Sequence, residues 1–318
     1  MLTSHDTRLL GKSDLAISPI GFGAWAIGGA DWKFGWGAQD DAQSVAAIQR
    51  ALELGVNWID TAAAYGFGHS EEVVARALDG LSERPYVFTK CGLVPSGDGG
   101  AREDISRSSI LAECEASLRR LRLETIDLYQ IHWPTDNLSD IDEAWAAMEE
   151  LRESGKARYV GVSNFSVEEL ERARKIAPVT SLQPPYSLVK RRIETDVLPY
   201  CAEHQIGVIV YSPMQSGLLS GAMTKARAEQ LPDNDWRSRS PEFTEPKLSR
   251  NLELAERLRV VGARHGRSAG EVAIAWTLHN PAVTGAIVGA RSPEQVDGVA
   301  RAALLHLSDA EIREIEAT

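Results

Sequence analysis

Val56-Asn57-Trp58-Ile59-Asp60-Thr61-Ala62-Ala63-Ala64-Tyr65-Gly66 runs from a short β-branched and aromatic stretch into an acidic residue, three alanines and a tyrosine. Val56, Trp58 and Ile59 suit a largely buried strand over 56–60. That strand stops at Asp60. The alanines then leave room for a ligand beside the Tyr65 hydroxyl. Gly66 and Gly68 turn the chain, and Ser70 followed by Glu71 and Glu72 reads as a cap and the acidic first turn of a helix. Strand, polar loop and helix follow one another within 25 residues. Taken alone, Asp60 reads equally well as a turn cap and Tyr65 as packing, so the decision rests on the rest of the chain.

Outward from this stretch the same unit repeats. Helical periodicity covers 41–54, 70–80, 107–121, 139–153, 166–176 and 194–204, alternating with strand-like runs at 56–60, 86–90, 126–131, 157–162, 180–183 and 207–211. A first strand at 19–23 and a last at 283–288 bring the count to eight. Eight parallel βα units in 318 residues predict an α/β fold of the (β/α)8 TIM-barrel type, a single domain over 1–318. Residues 7–17 read as a β-hairpin outside the barrel. The long segment 212–249, marked by Pro232, Asp233, Asn234, Asp235, Pro241 and Pro246, reads as a loop after strand 7, with helices near 250–265 and 268–279 and one from 293. Gly21-Phe22-Gly23-Ala24-Trp25-Ala26 fits the dinucleotide fingerprint, but no helix follows it until about Asp41, so a Rossmann site is rejected.

Composition narrows the function classes. A formal charge of −11 offers no field to attract nucleic acid or an anionic membrane, which favours small-molecule chemistry. Cys91, Cys114 and Cys201 are odd in number and far apart, which fits a reducing compartment and a cytoplasmic address. Residues 1–10 lack a signal peptide's apolar core, and no run is long enough to span a membrane. His5, His69, His204, His265, His279 and His306 lack ligand spacing, so no metal is expected. Arg107, Arg119, Arg120 and Arg122 read as a solvated helix face.

In a barrel of this type, chemistry gathers at the carboxyl ends of the strands. Asp60, Lys90, His132, Ser163 with Asn164, Gln183, and Tyr211-Ser212-Pro213 all fall there. Singly, a lysine ending a strand snorkels and a lone histidine packs. Together at one mouth they would be costly buried polar groups unless they acted as a site. Trp25, Trp32, Trp36 and Trp133 follow strands 1 and 4 and are expected to form an aromatic substrate wall.

These residues carry a resemblance. Gly55-x-Asn57-x-x-Asp60-Thr61-Ala62-x-x-Tyr65-Gly66, the Lys90 and His132 strands, Gly161-Val162-Ser163-Asn164-Phe165, Gln183-Pro184-x-Tyr186-Ser187 and Ile287-Val288-Gly289-Ala290-Arg291-Ser292 together resemble the aldo-keto reductases. Asp235-Trp236-Arg237 in the long segment is closer to the bacterial members and those related to potassium-channel beta subunits. The resemblance implies an oxidoreductase that interconverts aldehydes or ketones and alcohols, with Tyr65 as general acid/base. Lys90 would lower the phenol's pKa, Asp60 would hold Lys90 protonated, and His132 would polarise the carbonyl.

It also implies a nicotinamide dinucleotide across the mouth. Ser163, Asn164 and Gln183 would sit on its carboxamide, Tyr211 would stack on its ring, and Gly23, Trp25, Ser212, Pro213, Gly217, Gly289, Arg291 and Gln295 would lie along the rest of it. Ser292 would cap the helix that follows. The Arg291 fork suits a ribose phosphate, which favours NADP(H), with NAD(H) the weaker alternative. The rival reading is a redox-sensing, cofactor-binding regulatory protein on the same fold.

Overall fold

Gly55 adopts φ +91°, and the Val56 amide donates back to the Ala51 carbonyl at 3.1 Å, so the chain is still closing a helix where the sequence suggested a strand had begun. The strand itself is only Trp58–Asp60. In the computed structural model, which describes all residues except 1, 4, 5, 31, 233, 234 and 318, this is β4 of the chain. His5, Asp233 and Asn234, named above, lie outside the described residues.

The strands are β1 Arg8–Leu9, β2 Ala16–Ile17, β3 Ile20–Gly23, β4 Trp58–Asp60, β5 Tyr86–Cys91, β6 Leu93–Pro95, β7 Ala101–Glu103, β8 Ile126–Ile131, β9 Ala157–Ser163, β10 Ser181–Gln183, β11 Gly207–Tyr211 and β12 Gly285–Gly289. The helices are α1 Asp41–Glu53, α2 His69–Leu78, α3 Arg107–Leu121, α4 Asp140–Glu153, α5 Val167–Arg174, α6 Val197–His204, α7 Lys225–Glu229, α8 Lys247–His265, α9 Ala269–His279, α10 Pro293–Asp297 and α11 Asp309–Glu316.

Eight strands, β3-β4-β5-β8-β9-β10-β11-β12, pair in parallel and close on themselves, with helices outside: a (β/α)8 TIM barrel. Trp58, Phe88, Leu128, Ile209 and Ile287 fill its interior. The Trp58 indole lies where a Cβ on Gly21 would stand 2.2 Å from it, and this close approach accounts for the glycine of the rejected fingerprint. After Gly23, among the described residues, comes a single 3-10 turn, Trp25–Ile27, and no α-helix before Asp41.

The β1–β2 hairpin packs Leu10, Leu15 and Ile17 against that interior cluster, so it closes the amino-terminal end of the barrel and is more than an appendage. A second hairpin, β6–β7, stands between β5 and α3 where none was expected. The segment 212–249 is less irregular than its prolines suggest. It holds α7 and turns at Trp236–Arg239 and Pro241–Phe243, around a small core of Leu218, Met223, Ala228, Phe243 and Leu248. The helix expected from 293 ends after Asp297, and a second, α11, starts at the Ser308/Glu311 capping box.

Candidate active site

The end of β4 sets the site. Asp60 and Lys90 are buried at the top of neighbouring strands, and Lys90 Nζ donates to Asp60 Oδ1 at 2.5 Å, the Thr61 carbonyl at 3.0 Å and Tyr65 Oη at 3.3 Å. Tyr65 is carried there by a tight loop. The Tyr65 amide donates to the Ala62 carbonyl, and Ser70 N donates to the Tyr65 carbonyl at 3.2 Å. Ser70 is therefore not the cap of α2: Gly68 occupies that position, and the Ser70 hydroxyl bonds Ala24 O and Thr61 Oγ1. His132 follows β8, its ring edge-on to Tyr65 with centroids 5.6 Å apart. Its Nδ1 is buried and has no partner among the described residues.

Burial dominates the electrostatics. The Tyr65 phenol is pushed well above its usual value by burial and then by the Asp60 charge. Burial draws the Lys90 ammonium down, opposed by Asp60. The His132 imidazole is held well below its usual value by burial and then by Lys90. At neutral pH the phenol and the imidazole are both neutral. The net direction at Tyr65 is upward because loss of solvent and a carboxylate close by outweigh whatever the ammonium contributes toward the phenolate.

The polar strand ends beside this cluster bond one another. Ser163 Oγ donates to the Gln183 carbonyl at 2.8 Å, Asn164 Nδ2 to the His132 carbonyl at 3.0 Å, and Tyr211 Oη to Asn164 Oδ1 at 2.9 Å. Asn164 and Ser212 hold left-handed backbone at φ +64° and +57°, which turns the chain sharply off β9 and β11. The Gln183 amide nitrogen points inward, to Asp60 Oδ2 at 2.8 Å, while the residue still lines the cavity. Only its carbonyl oxygen remains for a carboxamide.

A cavity of about 1000 Å³ opens above these groups, lined by Gly23, Trp25, Ser212, Pro213, Gly217, Gly289, Arg291, Gln295 and all four expected tryptophans. A Cβ on Gly23 would stand 2.7 Å from Ile287 Cγ2, so the floor is trimmed to backbone. Trp32 packs against Tyr65, whereas Trp133 is 42% exposed and forms the rim. Sequence reading missed what completes the wall. Trp236, not itself a lining residue, supports the wall by stacking on Trp25 at 6.0 Å, Arg237 lies 4.8 Å over the Trp36 ring, and Leu93 and Glu103 of the unexpected hairpin line the cavity. The Asp235-Trp236-Arg237 triplet was the available signal for the first two.

At the far end Arg291 Nε meets Gln39 Oε1 at 2.5 Å, and its other nitrogens donate to the Trp36 and Ala38 carbonyls. Gln295 Oε1 accepts from the Arg291 amide at 2.8 Å. Ser292 occupies the cap position of α10, as expected, although its side chain makes no cap bond. Arg120 also leaves its expected solvated face to bond buried Glu71 at 2.6 Å, and Thr89 Oγ1 holds the other Glu71 oxygen.

Glu113 of α3 takes the Gly92 amide at 3.1 Å, at the root of the β6–β7 hairpin. Burial pushes its carboxyl up from 4.5 to about 7. The folded chain therefore binds this proton more tightly than the unfolded chain, and the stability it contributes is full below about pH 4.5 and lost as pH rises through about 7. Glu113→Gln is expected to match wild type near pH 5 and to exceed it by about 1–3 kcal/mol near pH 8. Thermal unfolding of both proteins across that range checks this; a difference independent of pH would refute it.

Among the described residues no group of three or more His, Cys, Asp or Glu is placed to hold a metal ion, and no helix is long and apolar enough to cross a membrane. Residues 19–318 match the model of the Aldo/keto reductase family. The chain is 38% identical to aldo-keto reductase YhdN of Bacillus subtilis over 91% of its own length and 86% of that protein's. It is 33% identical to the NADH-specific methylglyoxal reductase of Escherichia coli, over 95% and 94%. Its fold is similar to glycerol dehydrogenase AKR11B4 of Gluconobacter oxydans, with a TM-score of 0.89, 39% identity and coverage of 99% and 95%. It is also similar to the holo form of AKR11C1 of Bacillus halodurans, at 0.81, 30%, 98% and 95%.

Proposed function

Because the chain belongs to the aldo/keto reductase family, we propose that it acts, as one domain over residues 1–318, as an NADP(H)-dependent oxidoreductase interconverting aldehydes or ketones and alcohols, with Tyr65 as general acid/base assisted by Lys90, Asp60 and His132. The observation that carries this reading is Lys90, whose buried ammonium joins Asp60 to the Tyr65 hydroxyl at the mouth of the barrel.

The residues fit a nicotinamide coenzyme. The cavity is large, its floor at Gly23 is bare backbone, and Ser163, Asn164 and the Gln183 carbonyl oxygen stand together beside Tyr65 and His132. When bound, the coenzyme supplies or accepts the hydride. Tyr65, neutral at working pH, gives its proton to the carbonyl oxygen in reduction and takes it back in oxidation. Lys90 stabilises the phenolate left behind, and Asp60 keeps that ammonium in place. His132, neutral because it is buried, offers a hydrogen bond to the same oxygen without adding charge. Trp25, Trp32 and Trp36 exclude water and favour an apolar substrate body. Oxidation of either coenzyme, followed by absorbance against a panel of aldehydes, quinones and sugars, tests the reading. Coenzyme binding without turnover of any carbonyl would overturn it.

Coenzyme choice rests on Arg291. No carboxylate among the described residues pairs with it, and Arg237 nearby adds a second positive charge that lowers its pKa after burial. Arg237 already pairs with Asp235 at 2.6 Å, so an anion there would chiefly relieve Arg291, which favours the phosphate-bearing NADP(H) over NAD(H). NAD(H) stands as the weaker alternative, with one relative described as NADH-specific. The ratio of kcat/KM for NADPH over NADH is expected to fall about 10-fold or more in Arg291→Ala, the loss of a charge-assisted contact of about 1.5–3 kcal/mol. A wild-type preference for NADH, or an unmoved ratio, would remove Arg291 from this role. The three cysteines, free and buried, support a reducing, cytoplasmic setting.

A further inference from the structure

Gln130 carries a polar side chain into the barrel beside the tetrad of Asp60, Tyr65, Lys90 and His132. It lies on β8, in register with Lys90 on one side and Gly161 on the other, and is fully buried. Its Nε2 points at Asp60 Oδ2 at 3.4 Å, and its Oε1 accepts from Gln183 Nε2 at 3.3 Å. The Asp60 carboxylate is thus divided: Oδ1 faces Lys90, while Oδ2 faces the two glutamine amides.

From this geometry we propose that Gln130 is a positioning residue, holding Asp60 against Lys90 and fixing which way the Gln183 amide faces. This role rests on the catalytic reading of Tyr65, Lys90, Asp60 and His132 above. A buried amide with two long hydrogen bonds contributes little to stability, and an apolar side chain of the same size costs only the modest penalty of the Gln183 N–H it leaves unpaired. Its gain lies in orientation. Gln183 gives one N–H to Asp60 and points the other at the Gln130 carbonyl oxygen. Were the Gln183 amide turned over, its oxygen would meet two acceptors. Its carbonyl oxygen is therefore held toward the cavity, where a coenzyme carboxamide has a donor to offer. The same two amides keep Asp60 from turning about its side-chain axis away from the ammonium.

Lys90 is faced by Asp60 from β4, Tyr65 from the loop beyond it, His132 from the end of β8 and Glu71 from α2. The two carboxylates oppose the loss of its proton on burial, and the Thr61 carbonyl accepts from the ammonium beside them. With Asp60 free to turn, Lys90 gives up its proton at lower pH.

The test compares wild type, Gln130→Met and Gln130→Glu, with coenzyme affinity from fluorescence quenching, kcat against pH, and thermal unfolding. Gln130→Met is expected to unfold within about 4 °C of the wild-type temperature, the scale of one weak buried hydrogen bond. Its kcat should fall about 10-fold or more, the scale of a sub-ångström loss of alignment. The alkaline limb of its pH profile should move toward neutral by about half a unit or more. A stable Gln130→Met with wild-type kcat and pH profile would overturn the inference while leaving the tetrad reading intact, whereas wild type inactive on every carbonyl would sink that reading first. If Gln130→Met does not fold, Gln130→Glu decides. Its protonated form restores one donor, so activity rising as pH is lowered supports the inference, and activity that follows the wild-type profile overturns it.

Discussion

Tyr65→Phe is expected to reduce kcat for carbonyl reduction by about 10²–10⁴-fold while coenzyme affinity changes by less than a few-fold. The hydroxyl it removes bonds only Lys90 among the described hydrogen bonds, and the ring that remains keeps its contacts to Trp32 and His132. Packing and the coenzyme floor are thus retained and the proton donor alone is lost. His132 cannot replace it, because a buried imidazole held well below its usual pKa is neutral and a poor acid at neutral pH. Steady-state reduction of the best carbonyl from the panel, alongside fluorescence titration with coenzyme, checks both halves. Activity within a few-fold of wild type would remove Tyr65 from its role. An equal collapse of coenzyme affinity would place the tyrosine in binding rather than in proton transfer.

The barrel was readable because periodicity survives in each unit: strands such as Gly207–Tyr211 are apolar runs, and α3 begins and ends where its pattern does. Asp60, Lys90 and His132 were readable for a related reason, since a polar residue closing an apolar strand has few places to go but the mouth. What stayed hidden depends on partners distant in sequence. Nothing around Leu93 announces a hairpin, because β6 and β7 are three residues each and their pairing is set by a loop that reaches Lys33, whose amide bonds the Gly99 carbonyl. Trp236 acts through Trp25, some two hundred positions earlier, and Arg120 through Glu71. The inward turn of Gln183 was illegible because an amide's direction is fixed by its neighbours in the folded ring. Likewise the sign of the Tyr65 shift followed from burial, a quantity that a sequence states only on average.

Lys90→Met is expected to be the other severe change, and it separates chemistry from stability. Removing the ammonium leaves Asp60 Oδ1 buried with no counter-ion, while Oδ2 keeps the amides of Gln183 and Gln130. Breaking a buried pair from one side costs about 3–5 kcal/mol, more than the neutral methionine recovers by shedding the desolvation of a lysine. The phenol then faces an uncompensated carboxylate, which raises its pKa further and makes the phenolate harder to reach. Catalysis should fall about 10²-fold or more in both directions, since no substitution alters the reaction's equilibrium. The double change Lys90→Met/Asp60→Leu removes the orphaned charge as well, and it should regain most of the lost thermal stability and none of the activity. Thermal unfolding and turnover of the two variants make the distinction. If the double variant recovered turnover along with stability, the lysine would be a structural counter-ion and the proton-transfer role assigned to it would fall. If Lys90→Met alone unfolded like wild type, the buried pair would not carry the energy its geometry implies.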